Sequence, residues 1–324
     1  MTDKNIVYYQ IIDANINRVS EGLRVIEDYT RFIGQQKEAT DQLSKIRKVV
    51  NESEADHLHH LIIRDTTRDM RAAEKPRPRK DTFSLLKANF KRVEEGLRVL
   101  EEYTGNQLYN QIRYQMYTLE KDILLTVAKP LLTSGVYLIS DEIEVLKQGL
   151  AWRVSAIQLR DKISNKKDIL KKALMLQPLA KKAGIPFIVN DYLDIAIASN
   201  ADGIHTGQDD LAVEEIRRII GPHKLIGRST HTIAQGKKAE ATGADYVGLG
   251  PIWGTPTKPE RKPIGVEYLQ QARTKLTIPY VAIGGINKET METIAPYKPP
   301  LIAVVRAYKE IPFIQKEYFA VQED

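Results

Sequence analysis

The chain has 324 residues, 42% hydrophobic and 28% charged, long enough for two domains or one large barrel and too apolar for wholesale disorder. Its formal charge of +6 is spread evenly: residues 1–130 hold 22 basic and 20 acidic side chains, leaving 26 and 22 for the remainder, and neither part has the excess that a nucleic-acid partner demands. The lack of cysteine excludes disulfides and thiolate metal sites, so any metal must be held by oxygen or imidazole.

The opening MTDKNIVYYQ has no basic segment followed by an apolar one, and no run offers the ~18 apolar residues of a membrane span. A cytoplasmic protein without a membrane partner is expected. Residues 14–30, ANINRVSEGLRVIEDYT, then recur at 88–104 as ANFKRVEEGLRVLEEYT, twelve of seventeen positions being identical at an offset of 74. In each copy the apolar residues step by threes and fours: Ile12, Ile16, Val19, Leu23 and Ile26, then Leu86, Phe90, Val93, Leu97 and Leu100. That spacing predicts one helix with one buried stripe. A weaker repeat at an offset of 66 predicts second helices over 42–58 and 108–127. An all-helical domain over 1–130, built from a duplicated helix pair, follows; each pair hides its stripe against the other. The proline-broken basic cluster Lys75–Lys80 reads as solvated chain, and the connector LIIRDTTRDM offers Arg64, Asp65, Arg68 and Asp69 either as further charged candidates or as surface ion pairs.

From residue 131 the texture changes to short apolar runs spaced by helical stretches: GVYLIS, AIQLR, PFIVN, GIHTG, LIGRS, YVGLGPI, YVAIGG and LIAVV. Eight runs, each followed by room for a helix, predict a closed (β/α)8 barrel over 131–324, lean in its loops.

Chemistry in such a barrel sits at the carboxyl ends of the strands. Those ends carry Gln158, Arg160 and Lys162, then Asn190 and Asp191, then His205, Gln208 and Asp210, then Ser229 and His231, and beyond them GPIWGTPTK, GGIN and VVRAY. Asp191 and Asp210 offer an all-oxygen pair suited to Mg²⁺ that shares its shell with substrate phosphates. Arg160, Lys162 and Lys258 beside them point to a diphosphate. Gly284-Gly285, opening the helix after the seventh strand, and the helix start after the eighth mark a second site, for a phosphate monoester. His205 and His231 read as packed, hydrogen-bonded structural groups, and Trp253 and Tyr137 as either a stacking face for a ligand ring or rim packing.

The series GVYLISD, QLRDK, ND, ADGIHTGQDDL, GRSTH, ADYVGLGPIWGTPTK and AIGGI resembles the thiamine phosphate synthase family over residues 135–324. The resemblance implies a Mg²⁺-dependent barrel that couples hydroxymethylpyrimidine diphosphate to thiazole phosphate and releases pyrophosphate. It assigns Gln158, Leu159, Arg160, Asp161, Lys162, Asn190, Ser229 and Lys258 to the pyrimidine diphosphate, with Arg160, Lys162 and Lys258 holding the departing pyrophosphate, and Asp191 and Asp210 to the metal. Thr255, Pro256, Thr257, Gly285, Val305 and Arg306 fall to the thiazole phosphate. Arg306 departs from the small serine usual there, which puts the geometry of that subsite in question.

The apolar stripe does not account for the repetition of Asn15, Arg18, Glu21, Gly22, Arg24 and Glu27 as Asn89, Arg92, Glu95, Gly96, Arg98 and Glu101. Asn15, Arg18 and Gly22 share one helix face, as do Asn89, Arg92 and Gly96, and a mid-helix glycine marks the close approach of a helix or a ligand. Asn15, Arg18, Asn89 and Arg92, beside that glycine, are candidates to cradle phosphate; the pattern ANxxRVxEGLRVxExYT resembles the second type of hydroxymethylpyrimidine phosphate kinase, which implies that ATP-Mg is used. No GxxxxGK[ST] loop is present. The competing reading joins a thiazole tautomerase-like barrel to a non-catalytic helical module that dimerises the chain or binds a partner.

Overall fold

The computed structural model describes residues 3–53, 78–255 and 262–319. The chain divides into two compact units, residues 1–128 and 129–324. Among the described residues no helix is long and apolar enough to cross a membrane.

The first unit contains α1 (Asp3–Asp28), α2 (Lys37–Glu52), α3 (Thr82–Thr104) and α4 (Gln107–Val127). The repeated stripes form its core: Val19, Leu23 and Ile26 of α1 and Leu86, Phe90, Val93, Leu97 and Leu100 of α3 are fully buried. The two copies differ in how the first helix stops. In the second, Gly105 takes the left-handed conformation (φ 66°) and Asn106 caps α4 by accepting from the Leu108 N–H, an abrupt turn. Arg31 stands at the matching place in the first copy, and α1 runs on into a π-turn over Tyr29–Ile33 before α2 begins at Lys37. Hence α2 starts five residues earlier than its periodicity predicts; α4 begins one residue from its expected start and ends where expected.

The second unit is the closed barrel that the eight runs predict. Its strands are β1 (Gly135–Ser140), β2 (Ala156–Leu159), β3 (Phe187–Asn190), β4 (Gly203–Thr206), β5 (Leu225–Thr230), β6 (Tyr246–Leu249), β7 (Tyr280–Ile283) and β8 (Leu301–Val304), all parallel in chain order, with β8 paired back to β1. Between them lie α5 (Ile143–Ala151), α6 (Lys166–Ala183), α7 (Leu193–Ala198), α8 (Val213–Ile220), α9 (Ile233–Ala241), α10 (Glu267–Lys275) and α11 (Lys288–Ile294), and α12 (Ile311–Tyr318) follows β8. Alternate strand residues serve two cores. Val136, Leu138, Ile157 and Leu159 pack outward against the helices. Tyr137, Ile139, Ala156, Ile188, Tyr246 and Val281 fill the interior. Gly227 makes room there: a Cβ on it would lie 2.2 Å from Tyr246 Cζ and 2.4 Å from His205 Nδ1.

Candidate active site

A cavity opens at the carboxyl end of the barrel. Of the residues expected to bind ligand, Gln158, Arg160, Asn190, Ser229, Thr255, Gly285, Val305 and Arg306 line it. Tyr137, His205, His231 and Tyr246 share the lining, although the sequence reading set the first three aside and passed over Tyr246. Pro256, Thr257 and Lys258 lie outside the described residues.

The wall is polar where the interior strands end. Gln158, 1% exposed, donates from Nε2 to the Tyr137 hydroxyl at 2.8 Å. That hydroxyl lies 2.9 Å from the Tyr246 hydroxyl, which lies 3.1 Å from His205 Nδ1, and His205 Nε2 is 2.9 Å from Ser229 Oγ. Five side chains from β1, β2, β4, β5 and β6 thus form one chain of contacts. Burial pushes both phenols well above their ordinary value, so they stay protonated at neutral pH. His231 faces the Gly250 carbonyl from Nδ1. Gly284 (φ 101°) and Gly285 (φ 74°) turn the chain against the β6 loop, where a Cβ on Gly284 would meet Pro251 Cα at 2.6 Å.

Charged groups stand on the same rim. Asp191 follows β3 with φ 62°, a left-handed backbone rare outside glycine, and its N–H donates to the His205 carbonyl at 2.8 Å. Such a conformation costs of order 1 kcal/mol and is typical of functional sites. Its carboxylate pairs with Lys162. Asp210 lies beyond the end of the neighbouring β4, its Oδ2 accepting from the Gly207 N–H at 2.6 Å. Lys162, Asp191 and Asp210 therefore stand beyond the carboxyl ends of β2, β3 and β4 and do not line the cavity itself. Among the described residues no three imidazole or carboxylate side chains gather as a ready-made metal cage. An ion held by this pair must complete its shell from water and ligand oxygens, the habit of Mg²⁺.

Two expected contacts point elsewhere. The Leu159 side chain is in the outer core, leaving only its backbone to the site. The Asp161 carboxylate is buried and spent on Lys172 Nζ at 2.7 Å and on the N–H groups of Ile163 and Ser164 at 2.9 and 2.8 Å. Burial alone would raise its pKa; those donors outweigh burial and hold it well below the ordinary carboxylate range. It shapes the turn that presents Lys162.

Arg228, a residue the sequence reading passed over, has the reverse character. Its buried guanidinium on β5 donates to Thr206 Oγ1 at 3.0 Å and to the carbonyls of Leu211 at 2.8 Å, Gln208 at 3.1 Å and Asp210 at 3.4 Å. One side chain so clasps the loop that carries Asp210. The available signal was an arginine inside the strand run LIGRS, since a cation on a barrel strand requires several partners.

In the helical unit, most of the repeated polar residues find partners on their own helix or on the helix that follows it. Asn15 and Asn89 are buried and donate to the carbonyls of Ile11 and Leu85, each four residues back, at 2.8 Å. A Cβ on Gly22 would lie 2.8 Å from Val93 Cγ2, and one on Gly96 2.6 Å from Val19 Cγ2. Glu27 pairs with Arg47 at 2.8 Å and Glu101 with Arg113 at 2.9 Å. Arg18 and Arg92 are exposed. The connector's Arg64, Asp65, Arg68 and Asp69 lie outside the described residues.

Every described candidate of the barrel stands at the carboxyl ends of its strands, the end at which barrel enzymes work. Comparison with known proteins narrows that class. A family model described as thiamine monophosphate synthase matches residues 132–308, more than half of the chain, and the ThiD2 family matches residues 10–122. A thiamine-phosphate synthase of Gloeobacter violaceus is 36% identical, the alignment covering 93% of this chain and 92% of that protein; one of Synechocystis is 37% identical over 93% and 91%. The solved structure of a thiamine phosphate pyrophosphorylase from Pyrococcus furiosus overlays with a TM-score of 0.53 and 29% identity, covering 60% of this chain and all of that one. The chain belongs to the thiamine monophosphate synthase family, and is a transferase of thiamine biosynthesis.

Proposed function

We propose that the barrel joins 4-amino-2-methyl-5-hydroxymethylpyrimidine diphosphate to thiazole phosphate, with loss of pyrophosphate, and that the helical unit makes the diphosphate from the monophosphate with ATP-Mg. The observation that carries the first part is the convergence of Gln158, Asn190, Ser229 and Arg160 on one cavity, with Lys162 paired to Asp191 on the loops beyond the same end of the barrel. The ring would lie among Gln158, Asn190 and Ser229 and the diphosphate would extend toward Arg160 and Lys162. Lys258 is assigned to the same anion by the resemblance. Thr255, Gly285, Val305 and Arg306, on the other side of the cavity, would take the thiazole phosphate, together with Pro256 and Thr257.

Asp191 and Asp210 would hold Mg²⁺, which when bound withdraws charge from the diphosphate oxygens. The Lys162 ammonium, seated on Asp191, marks a position a cation favours. As the carbon–oxygen bond breaks, negative charge grows on the leaving group, and Arg160 and Lys162 supply fixed donors for it. The electron-rich aminopyrimidine stabilises the carbon left behind, and the thiazole nitrogen attacks with its own lone pair. No general base is required.

The ThiD2 match supports the second part. Asn15, Asn89, Gly22 and Gly96 have packing roles and the repeated arginines Arg24 and Arg98 are engaged by carboxylates of their own helices, which favours Arg18 and Arg92 as the groups to meet a phosphate from solvent. The test uses the full chain with both ring substrates and Mg²⁺: pyrophosphate release in step with thiamine phosphate formation is expected. A tautomerase releases none. Supplying pyrimidine monophosphate and ATP instead should sustain the same coupling, and failure of that arm alone would leave the helical unit as a non-catalytic module.

A further inference from the structure

The buried chain from Gln158 to Ser229 has a direction. Each phenol has one proton to give, and Tyr137 already accepts from Gln158 Nε2. Its proton therefore goes to Tyr246, and Tyr246 passes its own to His205 Nδ1. A neutral imidazole with an accepting Nδ1 carries its proton on Nε2 and donates to Ser229 Oγ. Ser229 is left with a hydroxyl proton to give to a ligand, and Gln158 with its carbonyl oxygen to receive one. Doubly protonated His205 would break this order, because Tyr246 would then return its proton to Tyr137 and strand the proton there. The tyrosines are 1% and 0% exposed, so water cannot readily substitute for a missing link.

We propose that Tyr137, Tyr246 and His205 are positioning residues that lock the hydrogen-bond polarity of the cavity, an acceptor at Gln158 and a donor at Ser229. The wall then selects a ring that offers an amino donor to the first and a ring-nitrogen acceptor to the second. The inference rests on the pyrimidine reading of this cavity and deepens it: it names the groups, none of which need touch the ligand, that enforce amino over oxo. Reversing one end forces the whole chain to reverse, with an amide flip, two hydroxyl rotations and a tautomer change. Discrimination is thereby spread over five residues.

The experiment compares the 4-aminopyrimidine diphosphate with its 4-oxo analogue, whose carbonyl accepts where the amino group donates and whose ring nitrogen gains a proton. Wild type, Tyr137→Phe and Tyr246→Phe are assayed for kcat and KM with both, and foldedness is checked by circular dichroism. The wild type should favour the amino substrate by about a hundredfold or more in kcat/KM, and either phenylalanine should narrow that ratio by about tenfold, chiefly through KM. Comparing the ratio between variants cancels the ring's own electronic effect on bond breaking. In a second arm, Tyr137→Phe combined with Ser229→Ala should lose at least about fivefold less than the product of the single losses, as linked groups do.

An unchanged amino-to-oxo ratio in folded Tyr137→Phe and Tyr246→Phe overturns the relay, as does a multiplicative double mutant. The two phenols break the chain at different links, so one folded variant suffices, and Ser229→Ala with the wild type gives the ratio at the chain's far end if neither folds: loss of discrimination there is expected, and its persistence refutes the locked donor. Failure of wild-type coupling with the amino substrate removes the parent reading and the relay with it; additivity in an enzyme that does turn over removes the relay alone.

Discussion

Replacing Arg228 by methionine would show whether the loop bearing Asp210 is held from behind. The guanidinium spans that loop from Thr206 to Leu211 with four hydrogen bonds, two of them at 3.0 Å or less. Methionine retains an apolar stem of similar reach and gives no donors. Hydrogen bonds from a charged donor contribute about 1.5–3 kcal/mol each. Against this stands the cost of burying the cation: desolvation depresses its pKa, opposed by the charges of Asp210, Asp209 and Glu214. Counting the two short bonds, and allowing the exposed loop carbonyls to recover water, the net loss is about 2–4 kcal/mol, or roughly 5–15 °C in melting temperature for a unit of this size. The functional consequence should be larger in metal affinity than in turnover. Loss of a group that orients a metal ligand typically costs about 10–100-fold in affinity, so the Mg²⁺ concentration for half-maximal pyrophosphate release should rise by that factor while kcat recovers at saturating metal. A folded variant with unaltered Mg²⁺ dependence would refute the reasoning.

Asp210→Ala should cut coupling sharply at any Mg²⁺ concentration with circular dichroism unchanged; full Mg²⁺-dependent turnover would remove it from the metal site. Asp161→Asn should destabilise the barrel at neutral pH. Because the native carboxyl is held below its unfolded value, its stabilisation is complete above the ordinary aspartate range near about pH 4 and fades as pH falls toward the depressed native value; the difference in melting temperature between variant and wild type should therefore close only in acid. Gly96→Ala gains about 1 kcal/mol in helix propensity but sets a methyl 2.6 Å from Val19 Cγ2, an overpacking worth about 1–3 kcal/mol. Net destabilisation is expected, with relief when Val19→Ala is added, and a stabilised single variant would contradict the close crossing. Removing both Arg18 and Arg92 should abolish ATP-dependent supply of diphosphate and spare the barrel reaction when diphosphate is given.

The strands were legible because buried parallel strands read as unbroken apolar runs, and the order of those runs then placed Gln158, Asn190, Asp191, Ser229 and Asp210 at one rim. The same unbroken runs conceal which residues face inward. Tyr137 and Tyr246 stand in runs whose neighbours are equally apolar, 109 positions apart, and only the register of a closed barrel brings their hydroxyls to 2.9 Å. His205 is the hydrogen-bonded group its strand-end setting implies, but Tyr246 and Ser229, its partners, come from other strands and are not visible in the sequence. The family resemblance assigns Leu159 and Asp161 to the ligand along with Gln158 and Arg160, whereas strand parity turns one outward and the Lys172 ammonium turns the other aside.

Gly22 meets Val93 as Gly96 meets Val19, and Glu27 pairs with Arg47 as Glu101 does with Arg113, so the helical unit is a two-fold arrangement written into one chain. In such an arrangement each first helix must satisfy both its own partner and its copy across the crossing, so a change on one face is tested twice. The second helices lie outside that crossing and answer chiefly to their own first helix, through the Arg47 and Arg113 pairs. Their connections could then diverge, Gly105 giving an abrupt turn in one half and Arg31 an extended one in the other. Twelve identities in seventeen positions are thus concentrated where packing is doubly constrained. Arg18 and Arg92, like Glu21 and Glu95, are exposed, and their retention is not explained by the packing of the crossing.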